Sequence, residues 1–141
     1  MTQEDKELLL RDLSARLPYH CRIFYEYVDD LDNKTYGYSL TLNTWCIDEF
    51  NADKAVVKPY LRPMSSMTEE EKVEYYNTMD KETQRNYPNS CDFSESVYYS
   101  NTIKTFDWLN EHHFDYRDLI PMDLAIEITK ENNPYKEEQL L

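Results

Sequence analysis

Two runs of alternating residues decide the fold of this chain: residues 20–28 read HCRIFYEYV, and residues 36–43 read YGYSLTLN. Every second side chain of an extended strand falls on the same face, so this alternation predicts two half-buried strands. The first strand places four side chains together on one face: Cys21, Ile23, Tyr25 and Tyr27. Residues 29–34, DDLDNK, are a polar turn cluster between the runs. Two alternating runs around a short polar loop predict an antiparallel hairpin.

An α-helix is predicted before the hairpin. Thr2 is suited to cap its first turn, where a side-chain oxygen can accept from a free backbone N–H. Leu9, Leu13 and Leu17 recur every four residues and form one apolar stripe. Pro18 ends this helix, because the residue before a proline is pushed out of helical geometry.

The chain after the hairpin has a less uniform pattern. Residues 45–50 fit either a strand or a short helical turn, and residues 55–57 predict a third, short strand. Two prolines keep residues 58–63 out of helical geometry, so this segment should run extended as far as Thr68.

Helical periodicity returns at Thr68. Thr68 and Glu71 form a capping box in front of a helix that runs through Met79. A longer helix is predicted from about Ser96 to His113, and residues 124–128 predict a last strand.

These patterns together predict an α+β domain. It has an N-terminal helix, a small antiparallel sheet of three or four strands, and two further helices packed on one face of the sheet. We expect residues 1–131 to form this single domain. Residues 132–141 contain Pro134 and mostly charged or polar side chains, so we expect them to be a mobile acidic tail.

The composition argues against several classes of protein. The chain has one glycine, Gly37, so it cannot build the glycine-rich loops that cradle phosphate or carry a catalytic serine. Cys21, Cys46 and Cys91 form no Cys-x-x-Cys motif, and we expect them to be reduced thiols in the cytoplasm. The acidic N-terminus predicts no secretory signal, and the short apolar runs predict no membrane span.

The charge of the chain is strongly acidic. The net charge is −13, and residues 65–141 alone carry 7 basic and 17 acidic side chains. Binding directly to nucleic acid or to an anionic membrane needs a surplus of lysine and arginine, so we expect neither as a partner. This charge favours a basic protein as partner.

Tyrosine is abundant, with thirteen in the chain and two adjacent pairs in the predicted helices. Neighbouring residues of a helix point about 100° apart, so each pair directs at least one ring away from the core. Tyrosine is enriched at interfaces, although a tyrosine-rich core is the alternative interpretation. We expect a non-catalytic acidic interaction protein that contacts a basic protein. The expected contact residues are Tyr75, Tyr76, Tyr98, Tyr99, Glu70 and Glu74.

The alternative function is a small metal-assisted hydrolase that uses His113, Asp115 and Asp118. Imidazole and carboxylate ligands suit zinc, manganese or iron. His113 and Asp115 can come together only if the helix ends at His112. In the interpretation that we favour, His113 packs at the helix end and His112 interacts with the last carbonyls of the helix. We therefore expect neither a resident metal nor a cofactor.

Two blocks resemble segments of a known family. Residues 59–71, PYLRPMSSMTEEE, and residues 107–120, DWLNEHHFDYRDLI, are similar to an uncharacterised family of small acidic proteins widespread in gut Bacteroidetes and their mobile elements. The resemblance also covers the helix from Leu8 to Pro18, about a third of the chain in all. Where the family continues past the second block with a glycine, this chain has Asp123. The resemblance implies a setting on mobile elements and no particular activity.

Overall fold

The computed structural model describes residues 1–86 and 103–135, and over these residues the protein has an α+β fold. The N-terminal half contains helix α1 (Gln3–Arg16), a 3-10 turn (Leu17–Tyr19), strands β1 (Arg22–Val28) and β2 (Thr35–Thr41), helix α2 (Thr44–Asn51) and strand β3 (Ala55–Pro63). The C-terminal half contains a 3-10 turn (Met64–Ser66), helices α3 (Glu69–Asn77), α4 (Lys81–Asn86) and α5 (Ile103–Glu111), and strands β4 (Phe114–Asp115) and β5 (Ile126–Glu127). The predicted helix from Ser96 lies outside the described residues as far as residue 102.

The sheet is mixed and has five strands, in the order β2-β1-β3-β4, with β5 also paired to β3. Strand β1 runs antiparallel to β2 and β3, which confirms the predicted hairpin. Strands β4 and β5 run parallel to β3, so the prediction of a purely antiparallel sheet of three or four strands was wrong. Strand β5 lies within the last strand predicted at residues 124–128. Strand β4 was not predicted, because its two residues are too few for an alternating pattern to be visible in the sequence.

Strand β3 joins the predicted short strand and the predicted connector into one element of nine residues. Pro59 lies opposite Ile23, at the last pair of the β1–β3 ladder, where a missing N–H disturbs the ladder least. Beyond it, Tyr60 and Leu61 pair with β5, and Arg62 and Pro63 pair with β4.

The helix caps agree with the sequence prediction. The Thr2 side chain accepts from the Asp5 amide, and the Thr68 side chain accepts from the Glu71 amide, each within a complete capping box. Residues 45–50, for which two interpretations were open, belong to α2. The Asn43 side chain caps this helix by accepting from the Cys46 amide.

The core has two parts. The main core lies between the sheet and the helices α1 and α2, and its fully buried members include Leu9, Leu13, Ile23, Cys46, Val57 and Leu61. The second core forms between α3, α5 and β4, and consists of Met67, Tyr75, Met79, Leu109 and Phe114. Helices α1 and α2 thus cover the main core, whereas α3 and α5 pack against strand β4 in the second core.

A buried ion pair connects α1 to the second core. Arg16 and Asp12 are both buried, and Arg16 Nε donates to Asp12 over 2.7 Å. Arg16 Nη2 donates to the carbonyl of Phe114 over 2.6 Å. The backbone of β4 is thereby attached to the N-terminal helix by a charge-assisted hydrogen bond.

The segment at residues 132–135 packs on the sheet, which corrects the predicted start of a mobile tail. Tyr135 is buried, its hydroxyl donates to the Tyr60 carbonyl over 3.0 Å, and the Arg22 amide donates to that hydroxyl over 2.8 Å. Residues 136–141 lie outside the described residues. No helix within 1–86 and 103–135 is long and apolar enough to span a membrane.

Candidate functional site

Five aromatic rings form a continuous surface on the hairpin and on α2. We call this surface the aromatic face: Tyr25, Tyr27, Tyr36, Tyr38 and Trp45. The register pairs Tyr25 with Tyr38 and Tyr27 with Tyr36 across the two strands. Tyr36, Tyr38 and Trp45 are 41%, 45% and 51% exposed, although each is a large, mainly apolar side chain. Adjacent exposed aromatics of this kind mark interaction sites in many proteins.

The rings of the aromatic face contact one another closely. The ring centroid of Tyr25 lies 5.6 Å from that of Tyr38 and 5.2 Å from that of Trp45, and the centroids of Tyr27 and Tyr36 are 5.9 Å apart. Tyr25 itself is buried. Because the exposed rings of Tyr38 and Trp45 pack on this buried ring, they are held in place before any partner arrives.

The exposure of the aromatic face follows from the arrangement of the layers. Tyr36 and Tyr38 lie on the same side of the sheet as Ile23 and Tyr25, the side that α1 and α2 cover. The helices cover β1 and β3, but residues 35–39 of β2 are exposed. The hairpin thus extends its tyrosines past the edge of the helical layer.

The surroundings of the aromatic face are acidic. Residues 25–50 contain six carboxylates and one lysine. The Tyr36 hydroxyl donates to Asp32, and this hydrogen bond lowers the pKa of Asp32 and raises the pKa of Tyr36. Burial, together with the charge of Glu49, raises the pKa of Tyr25. Negative charge therefore lies beside Tyr36 and near Tyr25.

Packing on the opposite side of the hairpin explains why residue 37 is a glycine. A Cβ added at Gly37 would lie only 2.8 Å from Cε1 of Phe24, whose ring lies over the strand at this point. The glycine serves close packing of that ring. Its φ is not in the left-handed region.

A separate cleft of about 350 Å³ lies beside the second core, with Arg62, Glu71, Glu111, His112, His113, Ile128, Asn133 and Tyr135 around it. Arg62 donates to both oxygens of Glu71 over 2.7 Å, and these hydrogen bonds lower the pKa of Glu71 to about 2. The His113 ring stacks on Tyr135 with 3.9 Å between centroids. Burial and the nearby Arg16 lower the pKa of His113 to about 4, so this imidazole is neutral at pH 7.

The three side chains of the alternative metal site do not converge on one point where a metal ion could bind. Both oxygens of Asp115 accept backbone amides, from Leu119 and Ile120, each over 2.9 Å. Asp118 is exposed, whereas His113 faces the cleft. Among the residues that the structure describes, no group of three or more His, Cys, Asp or Glu side chains could hold a metal ion.

The positions of His112 and His113 agree with the interpretation that we favoured, in which both histidines have structural roles at the end of the helix. The Trp108 carbonyl lies 2.9 Å from Nδ1 of His112, in the last turn of α5, and His112 stacks on the Trp108 ring. His113 comes two residues after α5 ends, with a left-handed φ of 63°, and packs against Tyr135.

The predicted contact residues that the structure describes differ in how exposed they are. Tyr75 is fully buried and stacks on Trp108, so its ring is not accessible to a partner. Tyr76 is half-buried and its hydroxyl donates to the Gln84 carbonyl over 3.2 Å. Glu70 and Glu74 are exposed on α3. Tyr98 and Tyr99 lie outside the described residues.

The alternating pattern predicts that the hairpin tyrosines lie on strands, but it does not identify them as a binding surface. A usable signal is present, because Tyr36 and Tyr38 alternate with Gly37 and Ser39 in a strand without any charged residue. A strand with large rings on one face and very small side chains on the other is suited to binding on the aromatic side.

No protein-family model, curated protein or solved structure matches this chain.

Proposed function

We propose that this protein is a non-catalytic interaction protein that binds a basic segment of a partner protein on the aromatic face. The observation that carries the proposal is the row of exposed rings, Tyr36, Tyr38 and Trp45, within a region of six carboxylates and one lysine. The partner is met in the cytoplasm.

The rings provide the attraction for a cation. A lysine or arginine over the face of tryptophan or tyrosine is attracted by the ring quadrupole, by about 0.5–1 kcal/mol at an exposed site. Tyr38 and Trp45 both pack against Tyr25, so a cation between them would contact more than one ring. Tryptophan and tyrosine are also the residues that most often dominate binding energies at interfaces.

The charge of the chain supports the same class of partner. The net charge of −13 attracts a basic protein over distance and raises the rate of encounter. Glu70 and Glu74, which are exposed on α3, add to this field. The alternative, a metal-assisted hydrolase, has weaker support because both oxygens of Asp115 already accept amide hydrogen bonds.

Binding of a labelled basic peptide tests the proposal. The probe is a fluorescein-labelled nine-residue peptide, KVKTKVKTK, and binding is measured by fluorescence anisotropy at several salt concentrations. We expect Trp45→Ala and Tyr38→Ala each to raise Kd by at least about tenfold, because they remove anchoring rings. Binding should also weaken steeply with salt, since added salt shortens the range of the charge attraction.

Val73→Ala is the matched control. Val73 is an exposed apolar side chain on the acidic helix α3, remote in sequence from the aromatic face. This variant should bind the peptide as the wild type does. Equal affinities for the wild type, Trp45→Ala and Tyr38→Ala, with all three folded, would mean that the aromatic face is not the binding site.

A further inference from the structure

Strand β2 is an edge strand without the usual protection. Among the described residues it is the first strand in the order β2-β1-β3-β4, so only one of its two edges is paired there. Its seven residues, TYGYSLT, include no charged residue and no proline. Natural edge strands are usually shortened, bulged, charged or covered, because a free edge is a template for another strand.

The hydrogen bonds at the two ends of the hairpin show which backbone groups are free. The Leu42 amide donates to Cys21 and the Asp29 amide donates to Lys34, over 2.8 and 2.9 Å. Hydrogen-bonded pairs alternate along an antiparallel ladder, so Tyr36, Tyr38 and Leu40 turn their backbone groups toward β1. The groups that point outward belong to Thr35, Gly37, Ser39 and Thr41. Over residues 1–86 and 103–135, no backbone hydrogen bond reaches these outward groups.

We propose that the basic segment docks as an added strand along the outer edge of β2, with a cation at every second residue over the aromatic face. This inference rests on the proposed function and specifies the partner: an extended segment with lysine or arginine at alternate positions. Main-chain hydrogen bonds to β2 supply affinity in this mode, and alternate side chains supply specificity.

The geometry of an added strand explains the alternation. Such a strand would lie about 4.8 Å from β2, and its side chains on one face would stand beside those of Tyr36, Tyr38 and Leu40. Successive residues on that face are two apart in sequence. Seven residues of β2 span about 23 Å, which accommodates three or four cations on the aromatic side.

Charge decides between the possible occupants. A second copy of this chain could also pair through β2, but each copy carries a net charge of −13 and a carboxylate-rich hairpin. Pairing two such edges would bring like charges together, whereas a basic segment would neutralise them. The occupant that fits is a basic, extended segment of a different protein.

Backbone methylation of the probe peptide tests the added strand. In an antiparallel added strand, the valine and threonine amides of KVKTKVKTK face β2, because the lysines then lie on the aromatic face. N-methylation of two central valine or threonine amides should raise Kd by at least about tenfold, and N-methylation of two central lysine amides should change it little. The reverse pattern would also support strand addition, in the parallel orientation. Equal effects of the two methylations would overturn it.

A peptide of the same composition, KKKKKVTVT, separates alternation from charge. It should bind at least about fivefold more weakly than KVKTKVKTK at the same salt concentration. Equal binding would mean that the surface recognises charge alone.

Ser39→Pro tests the same contact from the side of the protein. Ser39 turns its amide outward, so proline removes one docking hydrogen bond and leaves the β1–β2 ladder intact. We expect a loss of about tenfold, compared with little change for Ser39→Ala. If Ser39→Pro does not fold, the N-methylated peptides still test strand addition with the wild-type protein.

The outcomes distinguish the two proposals. If Trp45→Ala weakens binding but neither methylation pattern nor Ser39→Pro matters, the aromatic face binds the peptide and strand addition is wrong. If Trp45→Ala and Tyr38→Ala have no effect, the proposed function itself fails. A dimer in light scattering that Ser39→Pro dissociates, and that the peptide cannot displace, would make a second copy the occupant.

Discussion

The tyrosines of the hairpin and the tyrosine of the second core have the same chemistry and opposite surroundings. Tyr75 on α3 meets α5, where it stacks on Trp108 and is fully buried. Tyr36 and Tyr38 lie on a strand that none of the described helices covers, and they remain exposed. The burial of a ring is decided by whether a second layer lies opposite it. The amphipathic pattern of the strand or helix that carries the ring does not determine whether the ring is buried.

The largest expected difference between the two regions concerns truncation of a ring. Tyr75→Ala should lower the free energy of unfolding by about 3–5 kcal/mol, because it leaves a large cavity beside Trp108. Tyr38→Ala should lower it by about 1 kcal/mol or less, since the exposed ring loses only part of its contacts. Urea unfolding followed by circular dichroism measures both. Similar losses for the two variants would show that the hairpin rings stabilise the fold as much as the second core does.

We expect low pH to destabilise the protein near the second core, because His113 becomes protonated. The folded pKa of His113 is about 4, below the usual value of 6.5, because burial and Arg16 disfavour the charged form. Below pH 6.5 the unfolded chain therefore binds a proton that the folded chain does not. Stability that is fully present above pH 6.5 is lost as the pH falls to about 4, by up to about 3 kcal/mol.

His113→Phe isolates this contribution. Phenylalanine retains an aromatic ring for the contact with Tyr135 but cannot take up a proton. The left-handed backbone at this position lowers the stability of the variant at every pH, so the readout is the difference in unfolding free energy between pH 7 and pH 4.5. That difference should shrink in the variant. If it stays as large as in the wild type, the acid sensitivity lies elsewhere.

The local elements were predictable because their signals are local. The alternation around residues 29–34 predicted the hairpin, and Thr2 and Thr68 predicted the two capped helices. Tyr135 was placed in a tail because its anchors, Arg22 and the Tyr60 carbonyl, are distant in sequence. Hydrogen bonds between distant residues leave no periodicity to detect.

The candidate site was only partly predictable, for a related reason. An acidic surface with tyrosine contacts was expected, but on α3, where the ring of Tyr75 proves to be buried. The exposure of Tyr36 and Tyr38 depends on how far α1 and α2 extend across the sheet. That extent is a property of the assembled layers, whereas strand alternation records only which residues share a face.

The smallest expected effect concerns the side of the hairpin opposite the aromatic face. Gly37→Ala adds a Cβ that overlaps the Phe24 ring, which must move. Because Phe24 is half-buried on an open sheet surface, the ring can shift, and we expect a loss of about 1 kcal/mol, at the low end for overpacking. Combining Gly37→Ala with Phe24→Leu should cost less than the sum of the single changes, since the smaller side chain leaves room for the methyl group. Thr35→Ala, at the exposed outward-facing residue of β2 before Gly37, is the matched control and should be close to neutral. A strictly additive double variant would mean that the glycine is required for the backbone of β2 itself. The edge that we propose as a docking template would then depend on that residue directly.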